Sequence, residues 1–147
     1  MNLHNQRQVY GQTLVELGRE NKKIVVLEAD LGRSTMSHMF QEEFPDRYFE
    51  MGIAEADMVS FAAGLALTDK IAFVNSFAVF AAGRPYDQIR QGVCIAGLNV
   101  KIIGSSAGFS DFGDGSTHQS VEDIAIMRAI PNMTVIVPCD GIETKKV

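Results

Sequence analysis

The sequence predicts an α/β domain, built as a three-layer α/β/α arrangement around a mostly parallel, doubly wound sheet. Three observations carry this. Short apolar runs recur at residues 24–27, 71–74, 100–103 and 135–137. Segments of helical character separate them, and such alternation builds a parallel sheet covered on both faces. The chain has 147 residues, the size of one domain with a real core.

The elements follow in order. Residues 5–20 read as an amphipathic helix that turns Val9, Leu14, Val15 and Leu17 inward. The run IVVL at 24–27 suits a strand buried on both faces. Residues 34–43 read as a helix stopped before Pro45, and 48–51 as a short strand. Residues 54–68 form the clearest helix. It is apolar nearly all round, from Met58 and Val59 through Phe61 to Leu67, so burial on every side is expected. Residues 71–74 are a strand, 79–97 a helix weakened at Pro85, and 100–103 a strand. A helix over 120–129 and a strand over 135–137 complete the pattern. Asp140 and Glu143 resemble a capping box that opens another helix. Four residues follow Glu143, so the polypeptide is expected to continue.

Composition narrows the function classes. Hydrophobic residues make up 46% and charged residues 21%, as in ordinary globular proteins. The net charge is -5, and no basic cluster exceeds Lys22-Lys23 or Lys145-Lys146. That argues against nucleic acid and against an anionic membrane surface. The apolar runs fall short of a membrane span. Cys94 and Cys139 form no CxxC and no zinc pattern, so two reduced thiols and a cytoplasmic protein are expected. There is no GxGxxG, P-loop or GxSxG motif.

Ligands of parallel sheets bind beyond the carboxyl ends of the strands. Those ends lead into Glu28-Ala29-Asp30, into Asn75-Ser76-Phe77 and into a long loop, 104–119, rich in Gly, Ser and Asp. Loops of that length are usually functional or disordered. Glu55 opens the 54–68 helix. Its position alone fits a glutamate favoured by the helix dipole. The apolar helix behind it implies a buried carboxylate, which needs a partner. Phe77 and Phe80 fit either core packing or an aromatic platform for a flat heterocycle. His118 lies in the long loop beside Gly113-Asp114-Gly115. The GDG triplet invites a metal reading, but no second ligand stands at a fitting spacing, and no metal site is assigned.

Three segments together resemble a known family. GIAEADMVSFAAGLAL, NSFAVFAAGRPYDQIR and FGDGSTHQSVEDIAIMRAIPNMTVIVPCD are similar, in order and spacing, to the pyrimidine-binding domain of transketolase-like enzymes. The upstream EADLGRST resembles the family's segment after its first strand. The resemblance runs over essentially the whole chain, 1–147. It implies the thiamine diphosphate-binding fold in its pyrimidine-domain form, with thiamine diphosphate as cofactor. By resemblance Glu55 is the glutamate that hydrogen-bonds a ring nitrogen of the aminopyrimidine. Phe77 and Phe80 are the aromatic pocket around that ring. A third aromatic of the family falls near Gly83, where this chain has none. His118 and Asp114 match loop residues that contact a sugar substrate. Asp30 matches an acidic residue near the cofactor, and Arg7 and Ser34 match positions that bind a substrate phosphate. Glu55 and His118 are thereby the candidate catalytic residues.

The chemistry implied is electron-sink catalysis, with the protein supplying orientation and electrostatics. A carboxylic group at the pyrimidine nitrogen favours the imino tautomer, whose imino group then takes the thiazolium proton. At Glu55 two forces oppose: the helix dipole favours the anion and burial the neutral acid. Burial, reaching roughly 3–5 pKa units, is expected to outweigh a dipole effect of about 1 kcal/mol in the cofactor-free chain.

In the family, the diphosphate and its magnesium bind a different domain, and a third, C-terminal domain follows. Nothing in this sequence matches either. The resemblance therefore implies a split transketolase. A partner chain with the diphosphate domain is expected to hold the magnesium, and the isolated chain to be inactive. Ketol transfer between sugar phosphates, and assembly into a homo-oligomer, are the matching expectations. Alternatives are a component like 1-deoxyxylulose-5-phosphate synthase or like the beta subunit of a 2-oxo acid dehydrogenase. A non-catalytic assembly module on the same fold is the alternative of another class.

Overall fold

The computed structural model describes residues 5–147. Four strands form one sheet in the order β2-β1-β3-β4 (β1 Ile24–Glu28, β2 Tyr48–Glu50, β3 Ile71–Phe77, β4 Val100–Ser105), and every neighbouring pair is parallel. Side chains of a strand alternate between faces, which explains the uninterrupted IVVL. Val25 and Leu27 join Met58, Val59, Ala62 and Ile89 on one face. Ile24 and Val26 join Leu14, Val15 and Phe40 on the other. Each fully buried side chain of this kind contributes about 1.5–3 kcal/mol. Helices cover both faces, giving the three layers expected.

Helix α1 (Gln6–Glu20) is capped by Asn5, whose side chain accepts from the amides of Arg7 and Gln8. It crosses close to α3 (His38–Glu43) because Gly18 has no side chain. A Cβ there would stand 2.5 Å from Phe40 Cε2.

Five expectations are corrected. The helix over 34–43 is split into α2 (Gly32–Thr35) and α3 by Met36, which is left-handed at φ 68°. The break lets Thr35 and Ser37 donate inward to buried Glu28, a demand stronger than local helix propensity. The helix over 79–97 is interrupted at Pro85, giving α5 (Ala78–Gly83) and α6 (Tyr86–Gln88). It then ends in a π-helical turn, Ile89–Cys94, closed by the Ile95 amide on the Arg90 carbonyl at 3.0 Å. The helix over 120–129 shortens to α7 (Asp123–Arg128), because Ser120 bridges Gly108 across the long loop.

Residues 135–137 are not a strand. Val135 and Met133 still pack on the core, but the backbone makes no ladder with β4. Its far end is held instead by Gln6 Nε2, which donates to the Pro138 carbonyl at 2.9 Å. The expected last helix is present as α8 (Gly141–Lys146), capped by Asp140.

Helix α4 (Glu55–Leu67) differs from expectation in burial. Met58, Val59, Ala62 and Ala63 face the core, while Phe61 is 44% and Leu67 75% exposed. One apolar side of this helix is open in the single chain. Among the described residues no helix is long and apolar enough to cross a membrane, and no group of three or more His, Cys, Asp or Glu could hold a metal ion.

Candidate active site

The carboxyl ends of β1, β3 and β4 stand side by side, with Glu28 paired to Asn75 and Phe77 to Ser105. Gly52, at φ 68°, makes the sharp turn from β2 to α4. That turn delivers Glu55 as the first helical residue. Its carboxylate is 3% exposed. Oε1 accepts from Arg84 Nη1 at 2.7 Å and from Ser76 Oγ at 3.4 Å.

Phe77 ends β3 and Phe80 lies in the first turn of α5. Their rings are stacked, 6.4 Å apart and 15° from parallel. His118 sets its edge against both, at 6.1 Å from Phe77 and 5.1 Å from Phe80. A 3₁₀ turn, Gly115–Thr117, places it there, opened by Gly115 at φ 75°. The Arg84 guanidinium carbon lies 4.0 Å over the Phe80 ring, within cation–π range. Glu55, Phe77, Phe80 and His118, separate in sequence, thus form one cluster joined through Arg84.

The other predicted residues are spread around the rim. Arg7 and Ser34 do meet, with Arg7 Nη1 donating to the Ser34 carbonyl at 3.0 Å. Asp30 is exposed at φ 59°, and its amide donates to Glu50 rather than toward Glu55. Asp114 is exposed at the start of the His118 turn.

Arg84 was missing from the sequence-level balance at Glu55, which set burial against the helix dipole. The structure adds a guanidinium as the carboxylate's partner. The signal was present: Arg84 follows Phe80 by four residues, one helical turn. The second omission is the network around Glu28. Glu28 is fully buried and accepts from Thr35 Oγ1 and Ser37 Oγ at 2.6 Å each and from the Ala29 amide at 3.0 Å. Ser37 also meets Tyr48 OH at 3.2 Å. Tyr10 OH donates to Asn75 Oδ1 at 2.5 Å, and Asn75 Nδ2 to the Leu27 carbonyl at 2.9 Å. A carboxylate ending a strand buried on both faces was the signal here.

Burial pushes the Glu28 carboxyl up from its ordinary 4.5, against the lowering effect of its three donors, and nearby Glu50 adds to the rise. Burial also raises Tyr10 and Tyr48. A carboxyl raised on folding binds more protons folded than unfolded. Its contribution to stability is therefore present below pH 4.5 and declines as pH rises through the higher folded value. Glu28→Gln removes this decline, since the amide can accept from Ala29 while the two hydroxyls accept from it. The variant should melt higher than the parent at pH 8 and lose that advantage near pH 4, in paired thermal melts.

The cluster presents a stacked aromatic pair, a buried carboxylate at its side and an imidazole edge above. It suits a flat nitrogen heterocycle. The guanidinium already lying on Phe80 and bonded to Glu55 demonstrates that a planar N–H donor fits.

Comparison with known proteins places the chain among relatives. Residues 4–147 match the family model for the transketolase pyrimidine binding domain. The chain is 53% identical over 141 residues to a Methanocaldococcus jannaschii protein named for the C-terminal section of a transketolase, covering 96% of this chain and 45% of that protein. It is 42% identical over 142 residues to a 6-deoxy-6-sulfo-D-fructose transketolase subunit of a Clostridium species, covering 97% and 44%. A solved split-gene transketolase, described as an inactive beta4 tetramer, superposes with TM-score 0.82 at 51% identity, covering 95% of this chain and 45% of that one. The chain thus spans less than half the length of these relatives.

Proposed function

The chain belongs to the transketolase family through its pyrimidine-binding domain, and on that premise we propose that it supplies the pyrimidine half of a thiamine diphosphate site. A partner chain with the diphosphate-binding domain completes that site and holds the magnesium. The reaction is transfer of a two-carbon ketol unit between sugar phosphates. The observation that supports this most is the convergence of Glu55, Phe77, Phe80 and His118 from three segments on one rim.

When bound, thiamine diphosphate supplies an electron sink for breaking and making carbon–carbon bonds. Phe77 and Phe80 provide the aromatic wall and exclude water from one side of Glu55. Glu55 holds a proton toward a ring nitrogen, in a pocket dry enough to strengthen that hydrogen bond. His118 stands over the same wall, with Nδ1 at 2.9 Å from Thr117 Oγ1, which leaves Nε2 for a substrate hydroxyl. Arg7 and Ser34 on α1 and α2 stand ready for the substrate phosphate, and Asp30 for the cofactor side of the rim. Asp114, beside His118, completes the substrate loop.

The open side of α4, with Phe61 and Leu67, fits coverage by another subunit. The split-gene relative described as an inactive beta4 tetramer is what a chain needing its partner would form alone. The two cysteines are free thiols, in keeping with a cytoplasmic protein.

The test is ketol transfer by the full-length chain mixed with a diphosphate-domain partner, using a ketose phosphate donor and an aldose phosphate acceptor. Transfer that depends on both chains and on thiamine diphosphate is expected. In the same assay His118→Ala should lower kcat/KM for the sugar phosphates by about 2- to 13-fold, the worth of one hydrogen bond between neutral groups. Cofactor affinity should hold. Unchanged kcat/KM would remove His118 from the substrate site.

A further inference from the structure

Arg84 enters the cluster from solvent. It is 46% exposed along its side chain, yet its guanidinium reaches a carboxylate that is 3% exposed. It meets two surfaces there at once. Its guanidinium carbon lies 4.0 Å from the centre of the Phe80 ring, and Nη1 lies 2.7 Å from Glu55 Oε1. Ser76 Oγ takes a second place on the same oxygen at 3.4 Å. A guanidinium and an aminopyrimidine are both planar, nitrogen-bearing π systems that stack on an aromatic face and can hydrogen-bond a carboxyl group through a nitrogen. The guanidinium occupies the space between Phe80 and Glu55 that the pyrimidine-site reading assigns to the ring.

We propose that Arg84 is an internal stand-in for the pyrimidine: it closes Glu55 in the cofactor-free chain and is displaced when an aminopyrimidine binds. This rests on the pyrimidine-site reading above. The local backbone allows such a swing. Arg84 follows the last residue of α5 and precedes Pro85, which interrupts the helix. The Arg84 side chain is 46% exposed, so it borders solvent into which it can swing. The arrangement spares Glu55 from standing buried without a partner. It also taxes cofactor binding, because apparent affinity falls by the fraction of chains whose site is open.

The experiment is calorimetric titration of the chain with thiamine diphosphate and magnesium, comparing the parent with Arg84→Gln and Arg84→Met. Met keeps an apolar stem on Phe80, and circular dichroism checks that both variants fold. Both should bind about tenfold tighter than the parent, which corresponds to an open fraction of roughly one in ten. In the parent, the Arg84 Nε–H resonance should broaden or shift to the free-arginine position as the probe is added. Equal affinities in all three proteins, or weaker binding by the variants, would overturn the role of Arg84 while leaving the pyrimidine site intact. Absence of binding in folded parent and variants alike, also after a diphosphate-domain partner is added, would overturn the site itself and this inference with it.

Discussion

Glu55→Gln should lower the kcat of the paired enzyme by about 10²- to 10⁴-fold, the usual worth of a placed proton donor or acceptor. The substitution keeps shape and keeps an oxygen for Ser76 Oγ, which now stands 3.4 Å from the carboxylate. What it removes is a group that can hold and give up a proton at the heterocycle. The loss should therefore fall on kcat, with KM for the sugar phosphates changed little. Folding should survive. Arg84, the partner left behind, is 46% exposed and rehydrates, so its lost ion pair is screened by water. Steady-state kinetics paired with thermal melts separate the two effects. A Glu55→Gln enzyme of unchanged kcat would show that this carboxylate does not act on the cofactor.

Phe40→Ala should cost about 3–5 kcal/mol, the range for emptying a buried aromatic site. Phe40 is fully buried between α1 and the sheet. Its ring edge fills the space that Gly18 leaves open, it meets Phe44 at 4.9 Å, and Arg47 lies 5.2 Å from its centre. Removing it leaves a cavity that rigid helices cannot close. For a domain of this size the loss should lower Tm by about 6–20 °C. Exposed Phe109→Ala should leave Tm within a degree or two. The effect reaches the site as well, since α1 carries Arg7 and Tyr10 to the rim.

The layered fold was readable because each of its signals is local. IVVL at 24–27 can be buried on both faces without any knowledge of its neighbours, and the sheet places it so. The 54–68 helix was readable as a helix but not in its burial. Composition reports how apolar a face is, and not whether the same chain covers it, so Phe61 and Leu67 stand exposed. The split at Met36 and the straying of residues 135–137 from the sheet were hidden for a related reason. Both are decided by distant partners: Glu28 for Thr35 and Ser37, and Gln6 for Pro138. At the site, the roles proposed for Glu55, Phe77, Phe80 and His118 rest on resemblance. Their convergence needed coordinates. Arg84 was overlooked because a charged residue after a helix reads as solvated surface, until the carboxylate it neutralises is placed beside it.

The proposed function makes this chain the activating half of a shared site, unable to act without the other half. It is tested most directly by assaying ketol transfer with thiamine diphosphate and magnesium, for the full-length chain alone, a diphosphate-domain partner alone, and the two mixed. Each chain alone should be silent, and the mixture should give saturable transfer that titrates to a fixed ratio of the two. Transfer by this chain alone, or silence from a mixture shown to form a complex, would contradict it.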